Sequence, residues 1–113
     1  MIELIVLNYL KSILTDVMVT TEIRQGIAGS FVSIEKTGSG MSENLLPSAS
    51  IAVQSWADSL YDAMVLNERV KTAMLNLPTV REVYKCSLNS DYNYTDTATK
   101  HPRYQAVFDV VYN

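Results

Sequence analysis

The chain is poor in the residues that build most metal centres and covalent cross-links. Cys86 is its only cysteine, which excludes an intrachain disulfide and a cysteine-based metal site. His101 is its only histidine, and the nearest carboxylates, Asp91, Asp96 and Asp109, follow no spacing typical of metal ligands. We therefore expect no metal and no cofactor, an inert and partly buried Cys86 thiol, and a solvated surface His101.

Basic residues are scarce as well. The formal net charge is -3, which argues against non-specific binding to nucleic acid, because such binding needs a basic face to neutralise phosphates. Only 19% of the residues are charged, and this low fraction hints that another subunit covers part of the surface.

The first fourteen residues, MIELIVLNYLKSIL, are apolar but contain no long uninterrupted hydrophobic run. Glu3, Asn8 and Lys11 break the run, which is too short to cross a bilayer. The stretch also lacks the basic start and the small-residue cleavage site of a signal peptide. We expect synthesis in a reducing, intracellular compartment and no membrane partner.

Sequence signals for catalysis are missing. The chain has no GxSxG motif, and no pattern brings two of its glutamates together for acid–base work. The glycines of residues 37–44 are not followed by the lysine and helix of a phosphate-binding loop. We predict no catalytic residues and no enzyme activity.

The hydrophobic spacing in the first part of the chain predicts one helix and three strands. Residues 2–15 repeat apolar side chains every three to four positions, which is typical of an amphipathic helix. Residues 17–24 and 31–36 alternate as strands, and Gly26–Gly29 between them predicts a hairpin turn. The Gly/Ser-rich residues 37–44 are expected to be a loop, and a third strand is centred on Ile51–Gln54.

A long helix is predicted next. Ser55 and Asp58 match a capping box, apolar residues recur at helical spacing through residues 56–77, and Pro78 ends the pattern. A fourth strand is expected over residues 80–89.

The last elements are a long polar loop and a final strand. Residues 89–101 are polar, and residues 103–113 show the period-2 alternation of a strand with one better-buried face, which is expected to meet the long helix: Tyr104, Ala106, Phe108, Val110 and Tyr112. The sequence thus predicts one α+β domain over residues 1–113, with an antiparallel or mixed β-sheet of about five strands and two helices packed on one face.

Three side chains near the last strand are candidates for an interface. Tyr92 and Tyr94 are expected in the loop before it, and Arg103 at its start. Asp91 and Asp96 surround the tyrosines and would repel phosphate, so these aromatics favour contacts with protein over stacking on nucleic acid.

Three stretches carry a resemblance to a known family: IAVQSWADSLYDAMVLNERVKTAM (51–74), VREVYKCSLNSDYNYTD (80–96) and PRYQAVFDVVY (102–112). In these stretches, and in the order of its elements, the chain resembles the tail terminator (tail completion) proteins of long-tailed bacteriophages. It is also similar to the small neck proteins that join head to tail.

The resemblance implies a structural virion protein, assembled in the cytoplasm of a bacterial host. It implies an α+β sandwich of sheet and helices that forms a hexameric ring by head-to-tail contacts between identical subunits. Such a ring caps the tail tube, provides an attachment surface for the head or neck connector, and lets DNA pass without sequence-specific binding. The expected partners are therefore the chain itself, the tail-tube protein and the connector protein.

Two long segments are expected to make these contacts. Residues 37–44 and 89–101 are long for loops in a compact domain, and we expect them to reach neighbouring subunits or the tube. The candidate interface residues in the first segment are Ser39, Met41 and Glu43. Two alternatives stay open: a head-closure or head–tail adaptor protein, and, more remotely, a cellular α+β ligand-binding module.

Overall fold

The computed structural model describes residues 1–22 and 29–113 and contains two α-helices and five strands. In chain order the elements are α1 (Ile2–Ile13), β1 (Met18–Thr20), β2 (Phe31–Met41), β3 (Pro47–Trp56), α2 (Leu60–Leu75), a 3₁₀ turn (Leu77–Thr79), β4 (Val83–Asn93) and β5 (Arg103–Tyr112). The predicted α+β class, with two helices and five strands in a mixed sheet, is confirmed.

The strands form one sheet in the order β1-β2-β3-β5-β4, and both helices pack on the same face of it. Ile34, Val53 and Ala106 form one cross-strand row of that face. They share a buried cluster with apolar residues of both helices: Ile2, Val6 and Leu10 of α1 and Leu66, Val70 and Met74 of α2. Alternate residues of β5, including Phe108, join this core, so the predicted orientation of the last strand is confirmed.

The predicted hairpin between the first two strands is wrong. β1 runs parallel to β2, with Met18 opposite Phe31 and Thr20 opposite Ser33. Most of the predicted turn at Gly26–Gly29 lies outside the described residues. Alternation identifies a strand but carries no information on its direction relative to its neighbour, which explains the error.

The predicted loop over residues 37–44 is also wrong for most of its length. β2 continues to Met41 and stays paired with β3, with Ser39 opposite Ala49 and Met41 opposite Pro47. A register shift between Lys36 and Gly38 interrupts the ladder only locally. The backbone bonds to β3 therefore override the Gly/Ser composition, and β2 and β3 form one long hairpin with its turn at residues 42–46.

The start of the long helix differs from the prediction by four residues. Ser55 belongs to β3, where it is paired with both Val32 and Tyr104. The cap is Ser59, whose hydroxyl accepts a hydrogen bond from the Asp62 N–H at 3.1 Å. The pattern Ser-x-x-Asp occurs twice in succession, and sheet pairing on both sides of Ser55 decides between the two copies.

The fourth strand extends further than predicted. β4 reaches Asn93, so the connection to β5 is shorter than the expected loop of residues 89–101. No helix within the described part of the chain has the length and hydropathy needed to cross a membrane.

Candidate interaction surface

The sheet face opposite the helices carries two neighbouring cross-strand rows at one end. In the first row Phe31 of β2 lies opposite Trp56 of β3, and Trp56 lies opposite Arg103 of β5. Tyr94, just after β4, donates its backbone N–H to the Arg103 carbonyl at 2.7 Å and completes the row. We call Phe31, Trp56, Arg103 and Tyr94 the aromatic row.

The aromatic row is held by ring stacking and by one cation. The Phe31 and Trp56 rings stack, with centroids 5.3 Å apart. The Arg103 guanidinium carbon lies 4.5 Å from the Trp56 ring centroid and 4.2 Å from the Tyr94 ring centroid. Arg103 Nε also donates to the Tyr94 carbonyl at 2.6 Å. The guanidinium is thus fixed between two aromatic rings, each of which attracts it through its quadrupole.

His101 packs against this row. Its ring centroid is 5.0 Å from that of Trp56 and 6.2 Å from that of Phe31, and the side chain is half-buried. The prediction of a solvated surface histidine is therefore wrong. The end of the β4–β5 connection folds back over Trp56, a long-range contact that no local pattern around His101 predicts.

The second row is a chain of side-chain hydrogen bonds across four strands. Ser33, Gln54, Gln105 and Tyr92 lie opposite one another on β2, β3, β5 and β4, and we call them the amide row. Ser33 Oγ donates to Gln54 Oε1 at 2.7 Å, and Gln54 Nε2 donates to Gln105 Oε1 at 2.6 Å. Gln105 Nε2 donates to the Tyr92 hydroxyl at 2.6 Å. Trp56 Nε1 donates to Ser33 Oγ at 3.0 Å and joins the two rows.

Each side chain of the amide row donates to the next one, from Ser33 on β2 to Tyr92 on β4, so the series of hydrogen bonds ends at the exposed edge of the sheet. Gln54 and Ser33 are buried, whereas Tyr92 is 41% exposed. The Tyr92 oxygen accepts from Gln105, so its own O–H points its donor capacity away from the row. Tyr92 and Tyr94 meet edge to face at 5.8 Å, and both are exposed. The edge therefore presents two phenol groups in mutual contact next to a guanidinium held between two rings, a composition typical of protein interfaces.

The other candidates from the sequence lie far from this edge. Ser39 and Met41 are at the tip end of β2, and Glu43 is in the turn. Met41 is ten residues along the strand from Phe31, roughly 33 Å at about 3.3 Å per residue. Ser39, Met41 and Glu43 line one shallow depression of about 530 Å³. The structure thus divides the six predicted interface residues into an edge group, Tyr92, Tyr94 and Arg103, and a tip group, Ser39, Met41 and Glu43.

Titratable groups show structural perturbations. Burial, with a contribution from Asp109, raises the pKa of the Cys86 thiol to about 12. The hydrogen bonds that Lys71 donates to Glu68 and to Asp91 raise its pKa; its Nζ lies 2.9 Å from Glu68 Oε1 and 3.0 Å from Asp91 Oδ2. Within residues 1–22 and 29–113, no three His, Cys, Asp or Glu side chains are grouped so that they could hold a metal.

The sequence interpretation missed Trp56, Gln54 and Gln105 as parts of this surface. The capping pattern at Ser55 predicts that Trp56 begins the long helix, whereas the structure places it at the end of β3. Gln54 and Gln105 lie on the sheet face that points away from the helices. Alternation predicts that residues on this face are exposed, yet both are buried. A usable signal was the presence of an amide at such a position in each of two adjacent apolar strands.

Comparisons with known proteins give a likeness of fold. No protein-family model matches the chain. No curated protein matches it either. Among solved structures, the fold is similar to a chain of the virion of a native gene transfer agent (GTA) particle, with a TM-score of 0.66. The identity is 15%, and the match covers 91% of this chain and 83% of that one. At this identity the likeness shows a common fold, an α+β arrangement that spans nearly the whole chain.

Proposed function

We propose that the chain is a structural protein of a phage-like virion, and specifically a tail terminator. In this proposal six identical copies, the number that the family resemblance implies, form a ring that caps the tail tube and offers its other side to the head or neck. The chain acts by recognition rather than by catalysis, and DNA passes through the ring without being read. Its location is the virion, after assembly in the cytoplasm of a bacterial host.

One observation carries the proposal: the fold likeness to a chain of a gene transfer agent virion extends over 91% of this chain. A match to a small part of a larger protein would support only a shared motif. A match over almost all of a small chain supports the use of the same architecture in the same kind of particle. The sequence resemblance to tail terminators is a separate observation, and it favours the tail terminator among the structural proteins of such particles.

The tip of the β2–β3 hairpin supports a contact role. Met41 is 63% exposed and Leu45 is 75% exposed, which leaves two large apolar side chains in water. Leu45 also has a φ of 61°, a left-handed conformation that disfavours a leucine. Strained backbone positions are frequent at functional sites, and a partner that covers Leu45 would remove its apolar side chain from water. We therefore propose that the tip reaches a neighbouring subunit or the tube.

The edge formed by Tyr92, Tyr94 and Arg103 supplies a second contact surface of different character. The Arg103 guanidinium is already fixed by two rings, so little side-chain freedom remains to be lost when a partner binds. An apolar tip and an aromatic, cationic edge at opposite ends of the sheet fit a protein that joins two different structures.

The test uses the full chain with tail tubes and head connectors purified from the particle that encodes it. Light scattering over a range of concentrations and negative-stain images measure ring formation, and gold labelling of the chain locates it on each component. Label at the ends of full-length tubes is expected. If the label is found on connectors alone, the chain is a head–tail adaptor and the tail terminator proposal is wrong. No label on either component, with no ring at any concentration, would overturn the virion assignment.

A further inference from the structure

The outward stripe of α2 is apolar, although its inward stripe already forms the core. Tyr61 is 71% exposed, Met64 44% and Val65 45%, and their spacing places them on neighbouring positions of one helix surface. The opposite side of the helix buries Leu66 and Val70. A helix that is apolar on both sides is typical of one covered on both sides. We call Tyr61, Met64, Val65 and Glu68 the α2 stripe.

Carboxylates surround the α2 stripe. Asp62 and Glu68 are exposed on the helix itself, and Asp91 of β4 is bound to it through Asn67 at 3.0 Å. Lys71 is the only ammonium that joins them among the described residues, and it is shared between Glu68 and Asp91. Arg69, also on α2, is paired with Asp16: its Nη2 donates to Asp16 Oδ1 at 2.6 Å and its Nη1 to Asp16 Oδ2 at 3.2 Å. The stripe is therefore apolar with a net negative rim.

The outward side of α1 has the complementary character. Leu4 is 51% exposed, Leu7 is half-buried, and Lys11 is exposed one further turn along the same side of the helix. Lys11 has no ion pair within residues 1–22 and 29–113, whereas Glu3 of the same helix is paired with Lys36 at 3.6 Å. We call Leu4, Leu7 and Lys11 the α1 stripe; it is apolar and carries the positive charge of Lys11 at its end.

We infer that the α2 stripe of one copy packs on the α1 stripe of a second copy. The occupant is a copy of this chain because the chain itself supplies an apolar stripe of the opposite charge on the same helical layer. Two α2 stripes placed face to face would bring their carboxylates together, so the contact joins unlike surfaces. Repetition of such a heterologous contact produces a ring or a filament. The inference rests on the proposed ring-forming function and assigns the surfaces that close the ring.

A charge exchange tests the assignment. Lys11→Glu and Glu68→Lys each place like charges across the contact, and each is expected to weaken self-association about tenfold. The double variant restores the opposite charges with their signs exchanged, and its association is expected to return to within about threefold of the original chain. Sedimentation velocity over a concentration series measures the association, and circular dichroism checks that each variant is folded.

The apolar part of the contact has a matched control. Tyr61→Ser, in the α2 stripe, is expected to abolish association. Tyr84→Ser removes a tyrosine that is 56% exposed on β4, outside both stripes, and is expected to leave association unchanged.

The outcomes separate this inference from the proposed function. If rings form but survive Tyr61→Ser and both single charge changes, the assigned surfaces are wrong while the ring-forming virion protein stands. A chain that stays monomeric up to its solubility limit also overturns the inference, and gold label at tube ends then decides the proposed function separately. Rescue by the double charge exchange is the result that supports a second copy rather than a different partner.

Discussion

Arg103 and Trp56 lie directly opposite each other on β5 and β3, with the guanidinium carbon 4.5 Å from the centroid of the indole ring. The pair connects a buried ring on an interior strand to the exposed β4 side of the sheet, because Trp56 is 4% exposed whereas the Arg103 guanidinium also contacts the exposed Tyr94 ring. The buried Trp56 ring thus holds the Arg103 guanidinium in place. The stability of the sheet and the position of the guanidinium beside β4 therefore depend on the same two residues.

Substitution of Arg103 tests this coupling. Arg103→Ala is expected to lower the free energy of unfolding by about 1 to 2 kcal/mol, because the cation–ring contacts and the bond to the Tyr94 carbonyl are lost. Arg103→Lys keeps the charge but not the planar donor group, and its free energy of unfolding is expected to lie between those of the original chain and Arg103→Ala. Trp56 is the only tryptophan, so its fluorescence during urea unfolding reports both the stability and the local environment. Equal stability of all three proteins would contradict the prediction.

A substitution in the middle of the amide row is expected to lower the free energy of unfolding more than a substitution at its end. Gln105→Ala leaves the Gln54 Nε2 group without its acceptor in a site that is 3% exposed, which costs about 1 to 3 kcal/mol. Tyr92→Phe removes only the last acceptor at an exposed position, where water can replace it, and is expected to cost less than about 1 kcal/mol. Chemical denaturation of the two variants measures the difference, and a larger effect of Tyr92→Phe would refute the proposed order.

Two serines four residues apart should respond in opposite ways. Ser59→Ala removes the cap of α2 and is expected to cost about 1 kcal/mol. Ser55 Oγ is buried in β3 and has no hydrogen-bond partner among the described residues, so Ser55→Ala is expected to be neutral or stabilising. Thermal unfolding followed by circular dichroism distinguishes the two. A loss of stability with Ser55→Ala alone would show that the cap lies where the sequence first placed it.

Leu45→Asn is expected to improve the free chain and harm its assembly. Asparagine tolerates the left-handed backbone found at this position and removes an exposed apolar side chain, so the thermal midpoint should stay equal or rise. Ring formation or tube binding should weaken, because the proposed tip contact is lost. Leu88→Asn, at a 38% exposed position of β4, serves as the comparison at ordinary strand geometry. Undiminished assembly of Leu45→Asn would remove the tip from the proposed contacts.

The buried thiol gives a dependence on alkaline pH. The pKa of Cys86 is raised from 9.0 to about 12, first by burial, so the folded state favours the protonated thiol. Its contribution to stability is fully present below pH 9 and is lost as the pH rises from 9 to about 12. The chain should therefore lose more stability over this range than the Cys86→Ala variant, which has no thiol to ionise. Parallel pH curves for the two proteins in urea unfolding would contradict this assignment.

The alternation of β5 and the helical spacing of residues 60–75 were sufficient to predict the fold class and the core face of the last strand. Both patterns are local, since they record which side of an element is buried. The Gly/Ser composition of residues 37–41 misled because composition is a weak indicator where a neighbouring strand supplies backbone partners. The parallel pairing of β1 was unpredictable for a related reason: alternation says nothing about the neighbour's direction.

The interaction surface depended even more on tertiary structure. The sequence by itself identified Tyr92, Tyr94 and Arg103 as interface candidates, because tyrosine and arginine near a strand end are typical of such surfaces. It could not place Gln54 opposite Gln105, or Trp56 under Arg103 and His101. Those contacts join residues about fifty positions apart, and they exist because burial of Val53 and Phe108 on the helix face fixes the register of β3 against β5. Local pattern determined which residues face away from the core; the register of the packed sheet decided which of them meet.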